Sequence, residues 1–93
     1  MKNTEIIKSI KANEEAGVNA LADKYGITRE QAERIAETIV KRNAKSIRKM
    51  NDKVTGGTKI LVGWSGRGFM GSFDTSTEFC FSASGDMFGI FGD

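Results

Sequence analysis

Residues 59–91 read KILVGWSGRGFMGSFDTSTEFCFSASGDMFGIF, and this stretch decides the fold. It holds all six phenylalanines and the only tryptophan of the chain, and nine of the eleven glycines lie between positions 56 and 92. Between the glycines, apolar residues alternate with small or polar ones, which is the two-residue period of a half-buried strand. The pattern predicts an antiparallel sheet with one aromatic face.

Turn signals divide this stretch into four expected strands. Those strands are Lys59–Trp64, Phe69–Asp74, Glu78–Ala83 and Met87–Phe91. Residues 65–68, 74–77 and 84–86 favour turns, because glycine supplies positive φ and short polar side chains cap their own backbone. Three short connections give a meander, in which each strand pairs with its neighbour in sequence. The side chains expected in the core are Ile60, Val62, Phe73, Phe79, Phe81 and Phe88.

The residues before the sheet show the 3.6-residue period of amphipathic helices. Over residues 4–25 we expect two helices with a break near Asn13, and one bent or unbroken helix is the alternative. Gly26 ends this part, because glycine readily takes the left-handed conformation found after helices. Thr28 and Gln31 then form a capping box, which starts another helix. Its apolar period predicts that this last helix continues to about residue 52.

A sheet with one apolar face must be covered, and the helices supply the cover. We therefore predict an α+β fold, with two or three N-terminal helices packed on a four-stranded antiparallel β-meander. The length fits one domain over residues 1–93. Within it we expect a helical half at 1–53, a linker at 54–58 and the glycine-rich antiparallel sheet at 59–93.

The composition argues against an enzyme. The chain has no histidine, which removes the commonest general base and most zinc sites. Its one cysteine, Cys80, has no partner for an intramolecular disulfide, which favours a reducing, cytoplasmic setting. No run of eighteen apolar residues is present, so no membrane span is expected. We predict a non-catalytic binding protein that has no metal site, no cofactor and no membrane partner.

Positive charge is concentrated after the middle of the chain. The net charge is only +2, but residues 41–58 carry six basic side chains against one acidic side chain. A basic stripe on the predicted long helix would neutralise phosphates or dock on an acidic protein surface. The residues predicted to bind nucleic acid or another anionic partner are Arg29, Arg34, Lys41, Arg42, Lys45, Arg48 and Lys49.

Part of the helical half has the spacing of a known motif. Ala22 is followed by Gly26 at the turn and by the apolar Ile27, and a buried pair then follows at Ala32 and Ile35. With these features, residues 18–35 resemble the helix-turn-helix motif of DNA-binding proteins. The resemblance implies that the second helix would enter the major groove with its first residues on base edges. The matching positions here are Thr28, Arg29, Glu30, Glu33 and Arg34.

This chain departs from that motif in the length of its predicted second helix and in two acidic residues, Glu30 and Glu33, at DNA-facing positions. An ordinary corner between two helices gives the same pattern. The alternative function is therefore a protein–protein interaction module that acts as an inhibitor or adaptor of a larger complex. Pairing of two copies through the first or last strand is a further possibility. The residues predicted to bind a protein partner are Trp64, Arg67, Met70, Met87 and Phe91.

Overall fold

A computed structural model describes residues 2–92 and confirms the α+β class. Three helices are followed by four strands, which form one antiparallel sheet in the order β1-β2-β3-β4. The elements are α1 (Asn3–Ala12), α2 (Glu14–Tyr25), α3 (Arg29–Arg42), β1 (Ser46–Asn51), β2 (Thr58–Gly68), β3 (Gly71–Phe81) and β4 (Met87–Phe91). None of the described helices is long and apolar enough to cross a membrane. The two ends of the predicted domain, residues 1 and 93, lie outside the described residues.

The predicted helix boundaries around α2 are confirmed. Asn13 separates α1 from α2, and its side-chain oxygen accepts a hydrogen bond from the backbone N–H of Ala16 at 3.5 Å. Gly26 follows α2 with φ +65°, the left-handed conformation that glycine adopts at low cost. The capping box at the start of α3 is also present: the Thr28 hydroxyl accepts from the Gln31 N–H, and the Gln31 side chain accepts from the Thr28 N–H.

The predicted length of the last helix is wrong. The helix α3 ends at Arg42, because Asn43 turns left-handed with φ 52° and its N–H caps the carbonyls of Ile39 and Val40. The next residues form β1, which pairs with β2 from Ser46↔Gly63 to Asn51↔Thr58. The segment between Asn51 and Thr58 is thus the turn of a β-hairpin, and the predicted linker at 54–58 does not connect a helix to the sheet.

The central hairpin is longer than predicted. Residues 65–68 were expected to form a turn, but they continue β2, and residues 69–70 make the connection to β3. The expected turn at 74–77 lies inside β3, so the two predicted strands on either side of it belong to one strand. The number of strands is still four, because the merging of two predicted strands is offset by β1, which was not predicted. The four strands form a meander. The strand between Thr58 and Gly68 is therefore central, and the edge strands are β1 and β4.

The core lies between the helices and one face of the sheet, which we call the inner face. Ile60, Val62, Phe79 and Phe81 are buried there, as predicted, beneath apolar side chains of all three helices. Phe73 and Phe88 are exposed, and their predicted core positions are wrong. Phe73 is not among the side chains that pack against the core. Phe88 is an extra residue in a bulge of the edge strand, where Cys80 pairs with Gly89 and Phe81 pairs with Met87.

The opposite, outer face carries no helix in the described part of the chain. The molecule measures 40 × 32 × 19 Å, and its shortest dimension fits one helix layer on one sheet. By strand alternation the outer face holds Arg48 on β1, Lys59 and Leu61 on β2, and Glu78 on β3. A sheet with one covered and one open face is common among antiparallel sheets.

Candidate functional site

The hairpin of β2 and β3 extends past the rest of the sheet. The strand β1 pairs with β2 only as far as Gly63, and β4 pairs with β3 only from Glu78 to Phe81. Residues 64–75, which we call the hairpin arm, pair with each other and have no third strand beside them in the described structure. Two-stranded hairpins are marginally stable alone in water. The arm therefore depends on the body of the protein at its base.

The tip of the arm consists of Phe69 and Met70. Two-residue hairpin connections usually need a positive φ inside the turn. Neither connecting residue has one here, and the following residue, Gly71, takes φ +110° instead. Two large apolar residues can therefore occupy the turn. Phe69 is fully exposed and Met70 is 93% exposed.

Phe73 lies on the inner side of the arm, behind the tip. A Cβ added at Gly66 would lie 2.6 Å from a carbon of the Phe73 ring, and one added at Gly68 would lie 3.5 Å from it. The two glycines thus leave room for the ring to lie across the arm. The ring is 48% exposed. It continues the apolar inner face of the sheet towards the tip.

Trp64 fixes the base of the arm. Its indole N–H donates to the Thr77 hydroxyl at 2.9 Å, and that hydroxyl lies 3.4 Å from the Gly92 carbonyl, to which it donates. The guanidinium carbon of Arg42 lies 4.4 Å from the centre of the indole ring, within the range of a cation–π contact. Trp64 is half-buried and packs against the core. It therefore joins the arm to the body and is not a fully exposed anchor.

The outer side of the arm is polar. The Ser65 hydroxyl donates to the Asp74 carboxylate at 2.8 Å, across the pair of strands. Arg67 is exposed two residues further along β2, opposite Ser72. The arm thus has an aromatic inner side, a polar outer side and an apolar tip.

The structure brings together only part of the predicted protein-binding set. Trp64, Arg67 and Met70 belong to the arm, whereas Met87 and Phe91 lie on β4. Met87 is partly buried against the core. Phe91 is exposed on the outer face, where its ring lies over Gly89.

The sequence prediction missed the two aromatic residues that stand out most on the arm, Phe69 and Phe73. A signal was present for the first of them, since two large apolar residues lie between Gly68 and Gly71. Glycines on both sides of a residue pair are typical of a tight turn.

The predicted basic stripe does not exist as one helical face, because α3 ends at Arg42. Lys41 and Arg42 form the end of that helix, and Lys45 lies in the loop before β1. Arg48 and Lys49 then point to opposite faces of β1, and the ammonium group of Lys49 donates to the Tyr25 carbonyl at 3.1 Å. The five cations are close in sequence but are divided between a helix end, a loop and two faces of β1.

Arg29 of the helix-turn-helix-like segment lies beside an acidic surface, which the start of α2 and the middle of α3 form together. The guanidinium of Arg29 lies 3.3 Å from the carboxylates of both Glu15 and Glu33. Hydrogen bonds to Glu15 and then to Glu33 raise the pKa of Arg29. Arg34 is exposed on the same helix. Beside Arg29 is a groove of about 440 Å³ whose lining includes the four carboxylates of Glu14, Glu15, Glu33 and Glu37. This negative surface opposes the approach of phosphates.

Two further groups bear on chemistry. The thiol of Cys80 is buried in the sheet, and this burial raises its pKa, which the charge of Lys59 partly offsets. A buried thiol with a raised pKa is a poor nucleophile. Among residues 2–92, no three carboxylate or thiol side chains are grouped so as to hold a metal ion.

Comparison with known proteins adds no assignment to this geometry. Neither a protein-family model, nor a curated protein, nor a solved structure matches the chain. Any function must therefore be inferred from the hairpin arm and from the charges around it.

Proposed function

We propose that this protein is a protein–protein interaction module that binds its partner through the hairpin arm. The observation that carries the proposal is the exposure of Phe69 and Met70, side by side at the tip of a projecting two-stranded ribbon. Single exposed apolar residues are common on protein surfaces. Two adjacent ones together with a half-exposed ring, Phe73, on the same arm are a concentration of exposed apolar surface, which is typical of an interaction site.

The apolar side chains of the tip contribute more free energy to the binding of a partner than to the folding of this chain. An exposed tip contributes almost nothing to the stability of this chain, whereas burial of a Phe or Met side chain in a partner is worth about 1.5–3 kcal/mol. Aromatic residues and methionine are enriched in protein interfaces, and a few such anchors supply most of the binding free energy. The tip is therefore suited to fill an apolar pocket.

The shape of the arm suits an inhibitor or adaptor. Phe69 is five positions after Trp64, so the tip lies up to about 17 Å from the anchored base at 3.4 Å per residue. The base is held by the Trp64–Thr77 hydrogen bond and the Arg42 contact. An arm held at one end and apolar at the other can enter a cleft of a larger protein and block it, or connect it to the body.

Photocrosslinking from the tip tests the proposal. The photocrosslinker p-benzoylphenylalanine is introduced in place of Met70, and the protein is irradiated in an extract of the cells that produce it. We expect one protein to be crosslinked in a stable one-to-one ratio. Replacing Phe69 by serine in the same chain should abolish the product, because the apolar tip no longer fills its pocket.

Val54 provides the matched control. It is apolar and 94% exposed, but it lies in the β1–β2 turn and not on the arm. The crosslinker in place of Val54 should give no such product, and Val54→Ser should leave the Met70 product unchanged. Recovery of nucleic acid alone, of no protein, or of the same proteins from both positions would contradict the proposal.

Nucleic-acid binding is the second candidate, supported by the basic residues gathered at the β1 edge. Lys45, Arg48 and Lys49 lie within five residues on or next to an exposed edge strand. Charged residues on edge strands also prevent unwanted strand pairing, which accounts for them without a ligand. Duplex binding that falls steeply with salt, and that Arg48→Glu abolishes, would favour this function.

A further inference from the structure

We propose that β2 accepts an extended acidic peptide of the partner as an additional strand, in line with β1 and next to the arm. This inference rests on the proposed function and specifies the chemistry of the partner. It concerns the side of the arm and not its tip. Addition of a peptide strand to an exposed sheet edge is a general mode of protein recognition.

The strand β2 continues beyond the point where its pairing with β1 ends. The Lys45 N–H donates to the Gly63 carbonyl at 2.9 Å. The residues before Lys45 connect α3 to β1 and do not continue the strand. Residues of β2 alternate in direction, so Ser65 and Arg67 direct their N–H and C=O groups to the side where Gly63 meets β1. In the structure as described, no strand lies beside them there. Four main-chain groups are thus available to a fifth strand.

A groove lies over β2 at this point and borders the unpaired edge. Its volume is about 350 Å³, and its lining consists of Lys45 and Ser46 around the start of β1, Gly63, Trp64 and Ser65 on β2, and Asp74 and Thr75 on β3. Gly63 and Ser46 keep the groove shallow at this end, since the Ser46 hydroxyl lies where a Cβ of Gly63 would be. The groove therefore lies next to the unpaired edge of β2 at the base of the arm.

The two faces of the arm differ along the unpaired edge of β2, so the side chains of an added peptide would meet apolar and charged surroundings in turn. A peptide residue opposite Gly66 would point to the inner side, where the Phe73 ring covers that glycine. The residues opposite Ser65 and Arg67 would point to the outer side, near the exposed Arg67. The arm therefore fits a peptide in which acidic residues alternate with apolar ones.

The local charge also favours an acidic ligand. Lys45 lines the groove, Arg67 is exposed further along β2, and Arg42 stacks on the Trp64 ring. The one carboxylate in the lining is Asp74, and it already accepts the Ser65 hydroxyl at 2.8 Å. The three cations around the base of the arm outnumber this carboxylate, so an acidic strand would meet a net positive surface.

Fluorescence anisotropy with labelled peptides tests the inference. The probe is acetyl-Glu-Val-Glu-Phe-Glu-Val-Glu-amide, and two controls replace its glutamates by lysines or N-methylate its glutamate backbone nitrogens. We expect the acidic probe to bind, the lysine peptide to bind at least about tenfold more weakly, and the N-methylated peptide to lose about tenfold or more, since each lost backbone hydrogen bond costs a factor of several.

Two charge-reversal variants separate local from overall charge. Lys45→Glu should weaken the binding of the probe by about two- to fivefold, which is the contribution of an exposed ion pair. Lys8→Glu makes the same change in net charge on the exposed side of α1 and should leave binding unchanged. Equal effects of the two variants would overturn the inference.

Other outcomes overturn it as well. These are no binding of the acidic probe, equal binding of the N-methylated or lysine peptide, displacement of the probe by a duplex oligonucleotide, or a dimer of this chain that excludes the probe. Phe69→Ser leaves the groove intact, so probe binding should survive it. If the probe does not bind but crosslinking from Met70 persists, only the inference of an added strand is rejected. If the probe does not bind and no protein is crosslinked, the proposed function is rejected too.

Discussion

Phe79 and Phe69 lie in the same β2–β3 hairpin, yet one is the most enclosed ring of the protein and the other is fully exposed. Phe79 pairs with Ile60 in a part of the sheet that has β1 on one side, β4 on the other and the helices above. Phe69 lies at the tip of the arm, where none of these neighbours reaches. Residue type does not distinguish the two sites.

The comparison shows that burial in this hairpin is decided by its neighbours. The same two strands pair without interruption from Thr58↔Phe81 to Gly68↔Gly71. Over the body their inner face supports a core, and over the arm the same face carries Phe73 half in solvent. The body is therefore the stable part, and the arm is the part whose apolar side chains remain available to a partner.

The largest expected effect is at Phe79. Phe79→Ala removes a fully buried ring and should cost about 3–5 kcal/mol of unfolding free energy. Because small domains have only about 5–15 kcal/mol in total, this variant should lose a large share of its stability and unfold at a much lower urea concentration. The measurement is urea unfolding followed by far-UV circular dichroism. Phe79→Leu, which keeps most of the volume, should remain folded, and a stable Phe79→Ala protein would contradict the assignment of the body as the core.

The sequence predicted the parts of the fold that local chemistry determines. The Thr28–Gln31 capping box, the left-handed Gly26 and the break at Asn13 each depend on residues within one turn of helix. The inward alternation of Ile60, Val62, Phe79 and Phe81 depends only on the two-residue period of a strand. The α+β class and the antiparallel meander were also predicted, but the strands that build it were not all identified correctly.

The errors arose where long-range pairing overrides local propensity. Ile47 and Met50 have a spacing that suits a helix, but β2 pairs with this segment and makes it a strand. Gly66 and Gly68 looked like turn residues. Their absent side chains instead make room for Phe73 across the arm. A glycine that serves close packing and a glycine that serves a turn cannot be distinguished in a single sequence.

The same limit applies to the candidate site. Arg67 and Met70 were predicted to bind a protein, but their place on a projecting arm depends on where β1 and β4 stop pairing. The basic residues were assigned to one helix face, and the end of α3 at Arg42 divides them between a helix end, a loop and two faces of β1.

The next largest effect is expected at the junction between body and arm. Thr77 is buried, and its hydroxyl accepts the indole N–H of Trp64. Thr77→Val leaves that N–H without its acceptor and should cost about 1–3 kcal/mol. Trp64 is the only tryptophan, so its fluorescence should report the change directly. Thr75→Val, at a partly exposed neighbouring position, is the control, and equal losses for the two variants would show that the arm is not anchored through Thr77.

A smaller effect is expected within the arm. Phe73 is 48% exposed and removing it leaves no enclosed cavity, so Phe73→Ala should cost about 1 kcal/mol, roughly half of the transfer free energy of a fully buried Phe side chain. Gly66→Ala should displace the same ring, because the new Cβ would lie 2.6 Å from it. The two changes act on one contact, so a double-mutant cycle should show non-additive losses. Additive losses would mean that the ring does not rest on Gly66 in solution.

The smallest effect on stability is expected at the tip, and it separates the two regions most clearly. Phe69→Ala and Met70→Ala change side chains that touch almost nothing in this chain, so each should shift the unfolding free energy by less than about 0.5 kcal/mol. If the arm binds a protein partner, the same changes should cost about 1–2 kcal/mol or more of binding free energy, as interface anchors do. Urea unfolding and a binding titration with the crosslinked partner, made with the same protein samples, measure both quantities. If these variants lose stability but still bind the partner, the roles of body and arm are reversed. The tip would then belong to the core of the fold, and the interaction would take place on the outer face of the sheet.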